Sequence, residues 1–263
     1  MTLLSDFGTA DGFVGAMKGV ILSRASDAQI VDLTHDIPPQ DVWAGAWALR
    51  EAAGVFPKGA IHLAVVDPGV GTKRRALLLY GNDQFFVGPD NGLLSLAVGP
   101  DAKGWLLEKR EFFGREVSST FHGRDIFASV AGHLAAGVKA QDFGSMVQDW
   151  VKLIEDPVVC KGNEIEGRVV HVDRFGNLIT NVDKKDAKKE TQWSVQIGDY
   201  ICGPIRSTYG DVEEGEWVAY VGSSGKIEIA IRNGDAAKAL VLNTHAGKKA
   251  VWKYKVKLCS SGS

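Results

Sequence analysis

Residues 61–80, IHLAVVDPGVGTKRRALLLY, form two short apolar runs separated by a turn that is rich in glycine and charge. Alternating and β-branched apolar residues beside a Pro-Gly signal predict a strand on each side of this turn. Asp67 therefore follows directly on the first strand. Because ligands in open α/β sheets bind beyond the carboxyl ends of strands, we expect this carboxylate to lie where a substrate binds.

The same segment also has the composition of an ordinary turn. In Asp-Pro-Gly-Val-Gly, proline fixes φ and the glycines accept positive φ, while Arg74 and Arg75 would be solvated charges. Composition alone favours the turn. The functional interpretation gains support because other predicted strands in this half of the chain also end in polar residues.

Length and charge limit the class of protein. The chain of 263 residues exceeds one average domain, which favours two domains. A net charge of −2 without a basic stripe argues against a nucleic-acid partner, so we expect a small molecule instead. Met1 leads straight into an apolar strand, and no run reaches membrane-spanning length. The expectation is a cytoplasmic protein that has no membrane contact.

Two kinds of common motif are missing. The three cysteines, Cys160, Cys202 and Cys259, lie far apart without CxxC spacing, which predicts neither a disulfide framework nor a zinc site. The Gly69-Val70-Gly71 turn is not a GxGxxG fingerprint because Arg74 occupies the third glycine position, and GxxxxGK[ST] does not occur. Nicotinamide and ATP chemistry by those routes are therefore disfavoured.

The first half of the chain alternates predicted strands with amphipathic helices. Strand Thr2–Ser5 leads into Asp6 and Asp11, and an apolar stripe at helical spacing begins at Phe13. Asp11 is also a candidate N-cap of that helix, and Asp6 a residue that bends the loop. The order of elements predicts a mainly parallel or mixed sheet with helices on both faces. The remaining predicted elements are strands at 29–33, 61–66, 76–80 and 84–87 and a helix at 42–56 that Asp41 caps.

His122 stands at the predicted start of another helix, near Gly123. The partial positive charge of a helix N-terminus disfavours imidazolium, so His122 is expected to be neutral and able to accept a proton near pH 7. A structural histidine bonded to backbone is the alternative. The other histidines lack such a placement and are interpreted as structural: His35, His62, His133, His171 and His245.

The sequence changes in character between Met146 and Asn163, where polar residues surround Asp156-Pro157. Short β-rich runs divided by turns then predict a small antiparallel barrel or sandwich. We expect an α/β domain at residues 1–155 and an all-β domain at residues 164–258. The predicted strands of the second domain are 166–172, 178–182, 193–197, 217–221, 226–231 and 239–242.

Six segments carry a resemblance to a known family: SDFGTADGFVGAMKG, VVDPGVGTKRRAL, FVGPDNGLL, FHGRDIFA, VDRFGNLITN and SSGKIEIAIRNGDAA. In this order they resemble the S-adenosyl-L-methionine (SAM) hydroxide adenosyltransferases, the water-using relatives of fluorinase and chlorinase. The resemblance implies that SAM is hydrolysed to adenosine and methionine by a nucleophile that attacks ribose C5′. It also implies an α/β first domain, a β-barrel second domain and no metal or cofactor. It further implies a homotrimer whose sites lie between the first domain of one subunit and the second domain of its neighbour.

The resemblance also implies a role for each residue that matches the family's motifs. The catalytic Asp-Arg-His set falls on Asp67, Arg74 and His122, which would act on water. The matching substrate-binding residues are Asp6 for the ribose hydroxyls, Asp11 for the methionine ammonium, Phe175, Asn177 and the backbone near Asn233 for adenine, and Ser224, which replaces a larger residue at the methionine end.

These residue types suit the chemistry. Arg74 stabilises hydroxide character on a water, neutral His122 accepts its proton or orients it, and Asp67 fixes both the arginine and the direction of the water. Halide transfer is disfavoured because Asp67 replaces an uncharged residue of the halide-using relatives and would repel a dehydrated anion. In addition, His122-Gly123 replaces a Tyr-Ser of the fluorinase. A sensor that binds SAM or adenosine without turnover is the alternative.

Overall fold

The computed structural model describes residues 1–187, 192–242 and 254–260. The chain divides into two compact units, Met1–Leu153 and Ile154–Ser263, and each unit has its own hydrophobic core. Among the helices of these described ranges, none is long and apolar enough to cross a membrane.

The first unit is built on a seven-stranded mixed sheet in the order β2-β1-β3-β5-β4-β6-β7. The first four strands in this order are parallel, and the last three join them through antiparallel pairs. The strands are β1 (Thr2–Ser5), β2 (Val31–Thr34), β3 (Ile61–Val65), β4 (Ala76–Gly81), β5 (Gln84–Pro89), β6 (Lys103–Leu106) and β7 (Met146–Val147), and the helices are α1 (Phe13–Leu22), α2 (Val42–Ala53) and α3 (Ser129–Ala135).

Helices cover both faces of this sheet, as the sequence predicts. Successive residues of a strand point to opposite faces, so Leu3 packs in one core with α1 and α3, while Leu4 packs in another with α2. A π-helical segment, Gly123–Ala128, runs directly into α3. The predicted helix start near Gly123 is therefore confirmed.

Two expectations about helix caps have different outcomes. The side chain of Asp41 accepts a hydrogen bond from the backbone N–H of Ala44 at 2.9 Å, so its predicted cap of α2 is confirmed. Gly12, without a side-chain bond, occupies the N-cap of α1. The interpretation of Asp11 as a helix cap is therefore wrong.

The second unit is a closed barrel of seven strands, which confirms the predicted all-β barrel. The sheet runs β10-β14-β13-β12-β11-β15-β9-β8, and β9 also pairs with β10, which closes the ring. All strand pairs are antiparallel except β12 with β13. The seven strands of the ring are β9 (Glu164–Val172), β10 (Leu178–Asp183), β11 (Trp193–Ile197), β12 (Tyr200–Arg206), β13 (Trp217–Val221), β14 (Lys226–Ile231) and β15 (Lys255–Ser260). The eighth strand of the sheet, β8 (Val159–Lys161), pairs with β9 outside the ring.

One predicted strand of this unit is wrong. Residues 239–242 belong to helix α4 (Ala236–Leu242). The Asp235 side chain accepts from the N–H of Lys238 at 2.7 Å, and the Asp235 carbonyl accepts from the N–H of Ala239 at 3.0 Å. This is the pattern of a helix N-cap, and an apolar run of four residues does not distinguish a strand from a capped helix.

Candidate active site

Asp67 and Arg74 form a forked ion pair just beyond the carboxyl end of β3. Nε of Arg74 donates to both carboxylate oxygens of Asp67 at 3.0 Å, and Nη2 donates to Oδ2 at 2.5 Å. The Asp67 side chain is 5 % exposed and the Arg74 side chain 10 %. Since arginine stays protonated in proteins, Arg74 keeps its positive charge, and its contact with Asp67 is largely shielded from water.

The same guanidinium also binds His122. Nη2 of Arg74 lies 2.8 Å from Nδ1 of His122, and because arginine has only donors, Nδ1 accepts this hydrogen bond. The imidazole is then neutral and carries its proton on Nε2. Burial and then the charge of Arg74 lower the pKa of His122, against the opposite effects of Asp67 and Asp125. The sequence predicted a neutral His122 because of the helix N-terminus, whereas in the structure burial and the charge of Arg74 favour this state.

The turn between β3 and β4 brings these three side chains together. Within it, the N–H of Val70 donates to the carbonyl of Asp67 at 3.2 Å, and the chain reverses so that Arg74 faces that carboxylate. Gly71 has a φ of 76°, and a Cβ there would lie 2.5 Å from the carbonyl oxygen of Ser119. Glycine thus lets the segment that leads to His122 pack directly on the turn.

Asp6 emerges at the same sheet edge as Asp67. The strands β1 and β3 are parallel neighbours with Ser5 beside Val65, so the residues that follow them lie at one edge. Oδ2 of Asp6 accepts from the backbone N–H of Gln40 at 2.8 Å, and Gln40 adopts a φ of 65°. This hydrogen bond holds Oδ2 in place and thereby also fixes the direction of Oδ1.

An aromatic cluster connects the Asp6 loop to the His122 segment. The rings of Phe7, Phe13 and Phe121 pack edge to face, with centroids 5.2 to 6.0 Å apart. Phe7 follows Asp6, and Phe121 precedes His122. Asp11 is exposed and lies two residues before Phe13. The first unit therefore brings Asp6, Asp67, Arg74 and His122 into one region, and Asp11 lies in the loop that joins Asp6 to α1.

In the second unit, the turn after β9 is organised by a residue that the sequence analysis did not single out. Oδ1 of Asp173 accepts from the N–H groups of Phe175 and Asn177 at 2.8 Å, and Oδ2 accepts from Nδ2 of Asn177 at 2.7 Å. A carboxylate only accepts, so it fixes the orientation of the Asn177 amide. The ring of Phe175 is 76 % exposed. An Asp two residues before a Phe-Gly-Asn turn is an Asx-turn signal that would have identified Asp173.

The Asn233 loop packs against this turn. The N–H of Ala237 donates to the carbonyl of Gly176 at 3.0 Å, and a Cβ on Gly176 would collide with the carboxylate of Asp235. Asn233, with a φ of 55°, lies in the turn between β14 and α4. Phe175, Asn177 and Asn233 are therefore in one region of the second unit.

Ser224 lies elsewhere in the same unit. It belongs to the turn that enters β14, where the N–H of Gly222 donates to the carbonyl of Lys226 at 2.9 Å. Asn233 follows the other end of that strand, about 20 Å away for a strand of this length. Within the barrel, Ser224 and the predicted adenine residues are thus at opposite ends of β14.

Both parts of the chain match models of one protein family. Residues 1–144 match the model of the SAM hydroxide adenosyltransferase N-terminal domain, and residues 167–248 match that of the C-terminal domain. A "(R)-S-adenosyl-L-methionine hydrolase" of Thermus thermophilus is 41% identical over 248 residues, which cover 91% of this chain and 94% of that protein. One of the same name from Salinispora tropica is 39% identical, with 91% and 93% covered.

More distant and structural relatives are also similar to the chain. A fluorinase of Nocardia brasiliensis is 27% identical, and the match covers 94% of both chains. The crystal structure of an uncharacterized conserved protein from Thermotoga maritima matches with a TM-score of 0.85 at 33% identity. That match covers 98% of this chain and 99% of the other.

Gly71→Ala tests whether this glycine holds His122 against Arg74. A methyl group would displace the Ser119 segment, separate the two side chains and let the pKa of His122 rise toward its ordinary value. The measurement is an NMR titration of the imidazole. The matched control is Gly59→Ala, whose φ of 79° is equally positive but whose Cβ would meet nothing within 4 Å. An unchanged titration in Gly71→Ala would contradict this role.

Proposed function

The chain belongs to the SAM hydroxide adenosyltransferase family, and we propose that it hydrolyses SAM to adenosine and L-methionine. The oxygen of a water molecule forms a bond to ribose C5′ while the C5′–S bond breaks and its electron pair stays on sulfur. Methionine leaves as a neutral thioether, so the reaction requires no acid for the leaving group. The observation that carries the proposal is the shielded contact of Asp67, Arg74 and His122.

In this proposal, Arg74 binds and polarises the water. Its Nε and Nη2 groups donate their hydrogens to Asp67 and His122. Nη1 makes only a long contact, 3.5 Å, with the carbonyl of Arg75, so in this proposal Nη1 donates to the water. A positive charge in a shielded site favours hydroxide character on the bound oxygen. Positioning of water by such groups also avoids the entropy cost of a bimolecular encounter.

His122 orients the water in this proposal and does not remove its proton. Because Nδ1 accepts from Arg74, the remaining ring nitrogen carries hydrogen and can only donate to the water oxygen. Asp67 is then the acceptor of the set, so it holds one hydrogen of the water and takes up the proton as the C–O bond forms. Of the two roles that the sequence left open for His122, the geometry favours orientation.

Substrate recognition follows from the same residue chemistry. The carboxylate of Asp6 accepts two hydroxyl donors of a ribose diol, and Asp11 attracts the methionine ammonium. The exposed ring of Phe175 stacks on adenine, and Asn177 presents the amide oxygen that Asp173 leaves available for the exocyclic amine. The backbone near Asn233 reaches the adenine edge, and Ser224 lies at the methionine end. The reaction uses no metal or cofactor, because the sulfonium is already an activated leaving group.

We further propose that the protein is a homotrimer whose sites combine two subunits. The proposed water-directing residues and Asp6 all belong to the first unit, whereas the proposed adenine residues all belong to the second. The family resemblance supports a site in which the first unit of one subunit meets the second unit of its neighbour.

The proposed reaction is tested by incubation of the purified protein with SAM in ¹⁸O-water. We expect adenosine that carries the label at its 5′-oxygen, together with methionine. Asp67→Asn, which keeps the side-chain volume but removes the charge, should lower kcat by roughly 100-fold or more while SAM binding is retained. Tight binding of SAM without adenosine release by the unaltered protein would instead support a sensor.

The role of His122 is tested by comparing His122→Asn with His122→Ala. Asparagine keeps an acceptor for Arg74 near the Nδ1 position and an amide N–H that can donate to the water, but it cannot take up a proton, so it should keep part of the activity that alanine loses. In the unaltered protein the neutral imidazole is the active form. Activity should therefore be full near pH 7 and fall only as the pH drops through the pKa of His122, below its ordinary value of 6.5. His122→Asn should lack this acidic limb, and equal inactivity of both variants would assign His122 as the base.

Subunit complementation tests the shared site. Asp67→Ala inactivates the first unit and Asn177→Ala weakens the second, so each variant alone should turn over SAM poorly. If sites are shared between subunits, co-expressed mixtures contain sites with both residues intact and regain part of the activity. The mass in solution should be three times the chain mass of 28.3 kDa. A monomer, or mixtures no more active than the separate variants, would refute the arrangement.

A further inference from the structure

Strand β1 carries two buried hydroxyl–imidazole pairs, one near each end. Thr2 Oγ1 lies 2.7 Å from His62 Nδ1, and Ser5 Oγ lies 2.7 Å from His35 Nδ1. All four residues are at most 4 % exposed. The His62 pair lies at the amino end of the strand, where His62 stacks on Phe86 and burial lowers its pKa to about 4. The His35 pair lies at the carboxyl end, next to Asp6.

His35 holds the residues on both sides of Asp6. Its Nδ1 binds Ser5, whose Oγ accepts from the N–H of Phe7 at 3.3 Å, and its backbone carbonyl accepts from the N–H of Gly8 at 2.8 Å. The Asp6 turn, residues 5–8, is therefore attached to His35 through both a side-chain and a main-chain contact.

On its other side, the imidazole of His35 faces an ion pair of Asp32 and Lys18. Nε2 of His35 lies 3.1 Å from Oδ1 of Asp32, and Oδ2 of Asp32 lies 2.6 Å from Nζ of Lys18. A carboxylate beside Nε2 favours the tautomer with its proton there, so Nδ1 is the acceptor and the Ser5 hydroxyl is the donor. The Phe7 N–H then donates to Ser5 and the Ser5 hydroxyl donates to Nδ1 of His35, while the charge of Asp32 lies beside Nε2 without a hydrogen bond to it. These contacts together fix the rotamer of Ser5.

We propose that His35 is a positioning residue for the ribose of the substrate: through Ser5 and the Asp6 turn, it aims the Asp6 carboxylate at the diol. This proposal rests on the proposed function, in which Asp6 receives both ribose hydroxyls. Recognition of two donors by one carboxylate depends on its angle, and a displacement of about 1 Å can cost roughly 100-fold in rate. Sequence patterns had indicated only a structural role for His35.

The test compares Ser5→Ala with Thr2→Ala, which deletes the hydroxyl of the matched pair at the other end of β1. The readout is the preference for the diol, measured as kcat/KM for SAM relative to its 2′-deoxyribose analogue and as Kd for adenosine relative to 2′-deoxyadenosine. We expect Ser5→Ala to reduce both preferences about tenfold, the scale of one hydrogen bond to a charged group. Thr2→Ala should leave them unchanged, whatever its effect on stability.

A second variant keeps the proposal testable if Ser5→Ala folds poorly. His35→Asn retains an acceptor near the Nδ1 position and should preserve most of the preference, whereas His35→Phe should lose it. If Ser5→Ala and His35→Phe bind more weakly but keep the full preference for the diol, the positioning role is wrong. Failure of the unaltered protein to release adenosine from SAM would refute the proposed function instead, and the nucleoside Kd ratios would still decide the role of His35.

Discussion

The permanent positive charge of Arg74 is the constraint on which the first unit's site depends. A guanidinium that is 10 % exposed is stable only beside a carboxylate, and removal of one partner from such a pair typically costs about 3–5 kcal/mol. Asp67 therefore has a structural as well as a proposed chemical reason to be present. Because Arg74 also donates to Nδ1, it fixes the tautomer of His122, and burial together with the charge of Arg74 keeps the imidazole neutral.

The parallel pairing of β1 and β3 brings residues that are distant in sequence to the same edge of the sheet. Asp6 and Asp67 are sixty-one positions apart, yet both follow neighbouring parallel strands and emerge at a common edge. The loops then fix the angle of each side chain by separate means. Gln40 adopts positive φ to place its N–H on Asp6, whereas Gly71 removes the side chain that would keep the Ser119 segment away. Positive φ at Gln40 and close approach at Gly71 thus each place a group of the site.

Sequence patterns predicted those parts of the structure that depend on local periodicity. The strand Thr2–Ser5, the Asp41 cap and the α/β class followed from spacing and turn chemistry. Contacts between distant segments could not be predicted in this way, because no local pattern indicates that Gly71 packs against Ser119. The helix at 236–242 was missed because its apolar run is too short to distinguish a helix from a strand without the Asp235 cap. Strand β7, with two residues, is too short to produce any periodicity.

The charge balance of the proposed site favours water over a halide as the nucleophile. Asp67 neutralises Arg74 at hydrogen-bonding distance, so the pair together has no net charge with which to attract an anion. It offers instead both donors, from Arg74 and from Nε2 of His122, and an acceptor, from the carboxylate. A halide ion only accepts hydrogen bonds and would be repelled by Asp67, whereas a water molecule satisfies donors and acceptor together. In this view, the preference for water comes from a mixed set of partners, and a substitution that removes the charge of Asp67 would leave the nucleophile beside the net positive charge of Arg74.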